Sequence, residues 1–263
     1  MAPIFLDDRQ DMIFGKAKPT VTQDDKDWVE EAFIWFEKQY GQDYLKNVQT
    51  IEPTKEFFPI DFKGTEDNAE QLTKMICDYM QIKDVKIELY YFSDKPLELS
   101  EGIVTTSSEH GNKQDNQGAL GTYTQTDNDT FSIGIEMEVL KDPIGLIATL
   151  AHELSHLTLL GEGRLKENDE ELTDLNTIAL GFGIFTANSI FKFTQWSGTS
   201  HLGWQTQRRG YIPEQVAAYG LALLTNYQKK DDNWTKYLNS SVKKLYDKNI
   251  KYLKTTTDEI KFK

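Results

Sequence analysis

The chain has 263 residues, which corresponds to one large domain or two small ones, and its net charge of −13 argues against binding to nucleic acid. A single cysteine, Cys77, excludes an intramolecular disulfide, and its apolar surroundings indicate a core residue. The first residues lack the basic and apolar stretches of a secretory signal, and no uninterrupted apolar run reaches about 18 residues. We therefore expect a cytoplasmic protein that binds neither nucleic acid nor membranes.

The N-terminal part is predicted to be mainly helical. A first helix is expected over about Asp24–Gln39, because its aromatic residues fall on one stripe and Gly41 is a good helix stop. A strand is predicted near Val48–Ile51, and a second helix over about Asn68–Met80. The aromatic stripe is interpreted as core packing.

Three strands are predicted in the middle of the chain, at about 85–92, 118–125 and 131–139, from their alternating or continuously apolar residues. Between the first two lies a long polar stretch, Ser93–Gln117, which is typical of a mobile flap. His110 lies in this stretch, and we interpret it as a solvated loop histidine rather than a metal ligand or catalytic group.

An apolar helix is predicted over residues 144–160. Asp142 is a good N-cap, Pro143 is well tolerated at the first helical position, and Gly161 is a good stop. Within this span Glu153 is the one acidic or basic side chain besides the histidines, so the helix is expected to be buried. Polar side chains buried there without partners would cost several kcal/mol.

Three of its residues, His152, Glu153 and His156, spell H-E-x-x-H. Residues four apart lie on one face of a helix, so both imidazoles can reach one ion while Glu153 points at the open side of that ion. Neutral imidazole binds Zn²⁺ at about 2.0–2.1 Å, and catalytic zinc usually has three protein ligands and an open position. A carboxylate beside a zinc-activated water can act as its general base.

A second helix is predicted to open at Glu170 and to continue through the apolar residues 181–191. Glu170 and Asp174 are four apart, in the pattern E-x-x-x-D. The two motifs together resemble those of the glutamate-zincins, the thermolysin-like superfamily. The wider run is similar to a group of poorly characterised bacterial zincin-like proteins, and the resemblance covers roughly residues 118–190.

The resemblance implies a role for each motif residue. His152, His156 and Glu170 would bind Zn²⁺, and Glu153 would be the catalytic general base. Asp174 would hold a zinc-bound histidine, His152 by our expectation, through its other ring nitrogen.

Two rivals for the third ligand stay open. Glu171 is in the same turn as Glu170 but points about 100° away on a helix, and Asp174 would be the ligand if the chain followed the aspartate-zincins. The family also places a histidine or tyrosine where it stabilises an oxyanion. His201 and Tyr211 are the candidates for that role.

The resemblance further implies an edge strand, Gly118–Thr124, that binds the main chain of a substrate. After the motif helices, a helix is predicted over about Gly210–Leu224. The tail, Asn233–Leu253, is predicted to be one amphipathic helix that closes the far side of the fold.

These observations predict a single α+β domain over residues 1–263. It is zincin-like and mostly helical, with a small mixed sheet packed on the H-E-x-x-H helix. Its helical N-terminal part is 1–82, its sheet and metal-site core 83–190, and its helical C-terminal part 191–263. The expected function is a zinc metallopeptidase that acts on peptides or proteins. The alternatives are a zincin-fold protein that binds zinc for regulation or partner recognition without hydrolysis, and a metal-free helical interaction protein. The sequence gives no indication of oligomeric state.

Overall fold

Helices dominate the fold, as predicted, and a small sheet lies beside them. The structure is a computed structural model that describes residues 17–93, 97–99, 103–105, 121–125, 130–197 and 212–262. One hydrophobic cluster extends from Val29 to Phe262. The α-helices in these ranges are α1 (Gln23–Tyr40), α2 (Gln42–Asn47), α3 (Glu66–Met80), α4 (Pro143–His156), α5 (Glu170–Ala179), α6 (Gly183–Ser197), α7 (Glu214–Gln228) and α8 (Ser240–Thr255).

Local signals set the ends of α1 as the sequence predicted. The hydroxyl of Thr22 accepts a hydrogen bond from the Asp25 amide at 3.1 Å and caps the first turn. Gly41 ends the helix with a φ of 92°, which favours glycine. The helix is one residue longer at each end than predicted.

The strand predicted at Val48–Ile51 is wrong. This segment follows α2 and forms no sheet ladder. The side-chain amide of Gln228 donates to the Val48 carbonyl at 3.0 Å, and the Ile51 amide donates to the Gly181 carbonyl at 2.9 Å. Its β-branched residues therefore pair with the helical part of the fold, not with another strand.

The strands are β1 (Lys86–Phe92), β2 (Leu97–Leu99), β3 (Ile103–Thr105), β4 (Gly121–Gln125) and β5 (Thr130–Glu136). The main sheet has the strand order β1-β5-β4. The central strand β5 pairs in parallel with β1 and antiparallel with β4, so the mixed sheet that the sequence predicted is confirmed. Both β4 and β5 contact α4, which places the sheet against the motif helix. A short antiparallel pair, β2 and β3, lies within the stretch predicted to be a polar loop.

The motif helix α4 begins at Pro143 as predicted, but its last turn differs. After His156 the chain forms a π turn, Leu157–Gly161. The whole span Pro143–Gly161 is long and apolar enough to cross a membrane by length and composition, although the sequence contains no uninterrupted apolar run of that length. In the fold, 78% of its apolar window is buried, so the protein core accounts for its composition.

The helix predicted to run from Glu170 through residue 191 is broken, so that prediction is wrong. Gly181 separates α5 from α6 with a φ of 96°. A Cβ atom at this position would lie 2.3 Å from the Gln49 carbonyl oxygen, so a larger residue does not fit. After the break, α6 packs against α4 and α5 and contributes to the core.

The predicted tail helix is also divided, into a 3₁₀ turn at Asn233–Tyr237 and α8. The side chain of Asn188 lies at the division. Its amide donates to the Tyr237 carbonyl at 2.8 Å and its oxygen accepts from the Asn239 amide at 2.8 Å. These bonds satisfy two backbone groups that a continuous helix would have paired. Helix α7 begins at Glu214 with Pro213 as its cap and runs four residues beyond the predicted end.

Candidate metal centre

Two histidines on α4 face each other one helical turn apart. The Nε2 atoms of His152 and His156 are 3.2 Å apart, and the ring planes are nearly perpendicular with centroids 4.8 Å apart. Both side chains are buried, with 11% and 7% of their surface exposed. The i, i+4 spacing places both rings on one side of the helix, as predicted.

The carboxylate of Glu170 lies against both rings. Its Oε2 is 3.0 Å from the Nε2 of His152 and 3.3 Å from the Nε2 of His156. Glu170 is the first residue of α5, and its Oε1 accepts a hydrogen bond from the Asn168 side chain at 2.7 Å. Its side chain is 42% exposed, so one side of this cluster is open to solvent.

The three ligand atoms fit a metal ion. They lie within 4.8 Å of one another, and the group could hold a cation. Bonds of about 2.0–2.1 Å in a tetrahedral arrangement put neighbouring ligand atoms roughly 3.3–3.4 Å apart. The observed separations of 3.0, 3.2 and 3.3 Å are close to that spacing. Two imidazoles and one carboxylate leave a fourth position for water or substrate.

The outward ring nitrogens are held by partners that direct both Nε2 lone pairs inward. His152 Nδ1 is 2.8 Å from Asp174 Oδ1, and the other Asp174 oxygen accepts from the Ile212 amide at 3.0 Å. His156 Nδ1 is 3.4 Å from the hydroxyl of Thr173, whose proton goes to the Asp169 carbonyl at 2.8 Å. With a proton on each Nδ1, both Nε2 lone pairs face the cluster and can bind a cation.

The pKa shifts of His152 and Glu170 indicate that the cluster favours a positive charge. Burial lowers the pKa of His152, but hydrogen bonds to the Asp174 and Glu170 carboxylates outweigh burial and raise this pKa well above 6.5. Burial raises the pKa of Glu170, but hydrogen bonds from the two histidines outweigh it and lower the pKa. In the metal-free chain a proton on His152 therefore supplies the charge that a cation would supply.

Glu153 borders the same cluster and is buried, with 5% of its surface exposed. Burial raises the pKa of its carboxyl group, and the nearby charges of His152 and His156 partly oppose that shift. Among the residues that the structure describes, its carboxyl group has no hydrogen-bond partner. Its oxygens are therefore available to a water or substrate in the site.

The structure separates the rival ligands. Glu171 is exposed and outside the group, and both oxygens of Asp174 are already occupied by His152 and Ile212. His201 and Tyr211, the candidates for oxyanion stabilisation, lie outside the described residues, and so does His110.

Sequence reasoning missed three supporting groups: the Asn168 side chain, the Thr173 hydroxyl and the Ile212 amide. Thr173 could have been found, because it lies three residues after Glu170 and therefore on a neighbouring face of the same helix. The Ile212 amide is 38 residues from Asp174 in sequence, and nothing local marks it.

Comparison with known proteins gives no relative. No protein-family model, curated protein or solved structure matches this chain. The chemistry of the site must therefore be argued from its own residues. Those residues are His152 and His156 with their inward-facing nitrogens, Glu170 with its carboxylate, and the adjacent Glu153.

Proposed function

We propose that this protein is a zinc-dependent metallopeptidase of the glutamate-zincin type, with His152, His156 and Glu170 as the zinc ligands. The observation that supports it is the convergence of three ligand atoms beside a buried carboxylate, Glu153. Two imidazoles and a glutamate form one of the ligand sets of catalytic zinc. A purely structural zinc site would have its fourth position closed by a protein side chain, whereas Glu170 leaves this site open on one side.

Zinc, when bound, supplies a Lewis acid and lowers the pKa of a water molecule to about 7. Glu153 would act as the general base that accepts a proton from a water attacking the carbonyl carbon of a peptide bond. The same carboxyl group would then give the proton to the leaving amine, which would regenerate the Glu153 carboxylate. Burial raises the pKa of the Glu153 carboxyl group, which makes its carboxylate a stronger base toward the water.

The expected substrate is a peptide or protein that binds as an extended strand. Strand β4 is at the end of the described sheet and contacts α4, so a peptide added to its edge would lie along the motif helix. The predicted edge strand begins at Gly118, and its first three residues lie outside the described ones. Proline at Thr122 or Thr124 should raise KM for a peptide, and an unchanged KM in both variants would remove this assignment.

The test of the proposal has two parts. First, zinc, iron and manganese are measured per chain in the wild type, Glu170→Ala and the control Glu171→Ala. One zinc that is lost only with Glu170 supports the ligand set. Second, wild type and Glu153→Gln are incubated with a mixed peptide library. Cleavage by the wild type, with zinc kept and cleavage lost in Glu153→Gln, supports the peptidase.

Other results lead to different conclusions. Zinc without cleavage of any library peptide would favour the regulatory or partner-recognition protein that the sequence left open. Retained turnover in Glu153→Gln would exclude Glu153 as the base. A purified chain that contains no metal and takes up none would exclude both zinc proposals.

A further inference from the structure

Behind the metal centre, a buried polar network joins the two helices that carry the ligands. At its middle is Asn176 on α5, which is fully buried. Its amide nitrogen lies 2.7 Å from the hydroxyl of Ser155 and 2.9 Å from that of Thr158. Its oxygen accepts a hydrogen bond from the Tyr40 hydroxyl at 2.8 Å. The side chain therefore contacts α4, the π turn and α1 at once.

The direction of each hydrogen bond in this network follows from the chemistry of the amide. A primary amide donates twice from nitrogen and accepts at oxygen, and Asn176 uses both of its donors and accepts one hydrogen bond. Ser155 and Thr158 must therefore accept from it and donate elsewhere. Ser155 donates to the Thr173 carbonyl at 3.1 Å, and Thr158 donates to the Ser155 carbonyl at 2.9 Å. No other residue type of this size offers the same pattern.

The contacts end at the turn that carries the acidic residues of the site. Thr173 lies between Glu170 and Asp174 on α5, and its hydroxyl is the group that contacts His156. Ser155 lies directly before His156 on α4. The chain Asn176, Ser155, Thr173 therefore fixes how far the first turn of α5 lies from the histidines.

The same network also contacts the π turn, through Thr158. A π turn is a rare local geometry that is frequently found at functional sites. Here the Thr158 hydroxyl donates to the Ser155 carbonyl in the last turn of α4. The Arg164 guanidinium donates to the Thr158 carbonyl at 2.6 Å. Arg164 also lies over the Tyr40 ring, 4.8 Å from its centroid. The network thus stabilises the turn that begins one residue after His156.

We propose that Asn176 is a positioning residue of the metal centre. It does not touch the ion or the substrate. Its three hydrogen bonds hold α5 against α4 and the π turn, and so keep the Glu170 carboxylate within reach of His152 and His156. This inference rests on the proposed metal site.

The test uses Asn176→Leu, which keeps the number and branching of the side-chain heavy atoms and removes the hydrogen bonds. The matched control is Asn249→Leu. Asn249 is equally buried and makes two hydrogen bonds, because it accepts from the Thr20 amide and donates to the Thr20 hydroxyl, both at 2.9 Å. It lies on α8, which packs on α7. Co²⁺ and Zn²⁺ affinities are measured by competition with a chelator, and the Co²⁺ visible spectrum is recorded.

We expect Asn176→Leu to weaken metal binding by roughly 10–100-fold, as losses of partners behind the ligands do. The Co²⁺ bands, which report the arrangement of the ligands, should shift as well. Asn249→Leu should lower stability but keep the metal affinity within about twofold and leave the spectrum unchanged. A merely structural role for Asn176 would make the two variants alike.

Each other outcome decides the question. If Asn176→Leu binds metal with wild-type affinity and spectrum, or loses no more affinity than Asn249→Leu, the positioning role is wrong and the proposed function still stands. If Asn176→Leu does not fold, Ser155→Ala replaces it, and unchanged affinity there overturns the inference. A wild type that binds no metal overturns both proposals. Altered metal binding without any hydrolysis supports the positioning role and removes the peptidase.

Discussion

The metal centre and a second buried cluster of charges satisfy their polar groups in opposite ways. The second cluster, the Glu30 cluster, consists of Lys26, Glu30, Tyr219 and the backbone of residues 259–261. Glu30 accepts hydrogen bonds from the Tyr219 hydroxyl at 2.8 Å and the Lys261 amide at 2.6 Å, and its carboxylate pairs with Lys26 at 3.0 Å. Lys26 also donates to the Glu259 carbonyl at 3.0 Å.

In the Glu30 cluster every charge has an opposite charge or a hydrogen-bond partner from the chain itself. The carboxylate also raises the pKa of Tyr219, after burial, and so keeps that hydroxyl a donor. In the metal centre, by contrast, three electron-pair donors point at one another. Such an arrangement is stable only with a proton or a cation between the donors. We interpret the difference to mean that the Glu30 cluster contributes to stability, whereas the candidate metal centre could hold a cation.

The largest expected loss of stability comes from a substitution in the Glu30 cluster. Glu30→Ala leaves the Lys26 ammonium buried without its counter-charge, and we expect a loss of about 3–5 kcal/mol in the free energy of unfolding. Urea denaturation of the metal-free protein measures it. The control is Glu31→Ala, whose exposed pair with Lys261 should contribute no more than about 1 kcal/mol. Equal effects in the two variants would contradict this role for burial.

The metal centre should behave in the opposite way, with stability that depends on a ligand. Zinc at about 100 times its Kd should raise the free energy of unfolding by about 2.7 kcal/mol, because it binds only the folded state. The His156→Ala variant should lose this zinc-dependent increment. The Glu30→Ala variant should keep the full increment. Thermal denaturation with and without zinc is the measurement. A zinc increment that survives in His156→Ala would place the metal elsewhere.

A smaller loss should follow from a change behind the ligands. Asp174 accepts at both oxygens, from His152 and from the Ile212 amide, whereas an asparagine accepts at one. We expect Asp174→Asn to lower zinc affinity by roughly 10–100-fold. Asp169→Asn is the matched control on the same helix, because asparagine is an equally good cap for α5. Competition with a chelator measures both, and similar affinities would show that the contact with His152 does not matter.

The smallest effect is a pH dependence of the metal-free protein. The pKa of His152 is raised in the folded state, so its proton contributes stability below the ordinary value of 6.5, and this contribution is lost as pH rises through the folded pKa. Unfolding in urea with a chelator, from about pH 6 to pH 9, should therefore show a decline of at most about 1.4 kcal/mol per pH unit.

His152→Ala should lack this decline, and zinc affinity of the wild type should instead increase with pH because binding displaces the proton. Identical pH profiles for the metal-free wild type and His152→Ala would contradict the raised pKa.

Much of the local structure was predictable because its causes are local. The cap at Thr22, the stop at Gly41 and the start of α4 at Pro143 depend on residues within one helical turn. The positions of His152 and His156 on one face follow from the period of the helix alone. Within the described residues, strands β1, β4 and β5 were also found from their patterns, with ends that differ by a few residues.

The errors share one physical origin. Residues 48–51 were predicted to be a strand, and the helix after Glu170 was predicted to be continuous through Gly181. In the structure these two segments contact each other, through the Ile51 amide and the Gly181 carbonyl. The sequence pattern of each segment is ambiguous alone, and the tertiary contact selects its conformation. The division of the tail helix by Asn188, about 50 residues away, has the same kind of cause.

The sequence alone therefore determined a mostly helical α+β chain and a helix that presents two histidines and a glutamate at fixed spacing. Only the tertiary structure favours Glu170 over Glu171 and Asp174 as the proposed third ligand, because that choice depends on how α5 is rotated against α4. The same holds for the Asn176 network and the Glu30 cluster, whose partners are up to 233 residues apart. Helical periodicity acts over one or two turns, whereas these contacts exist only once the helices pack.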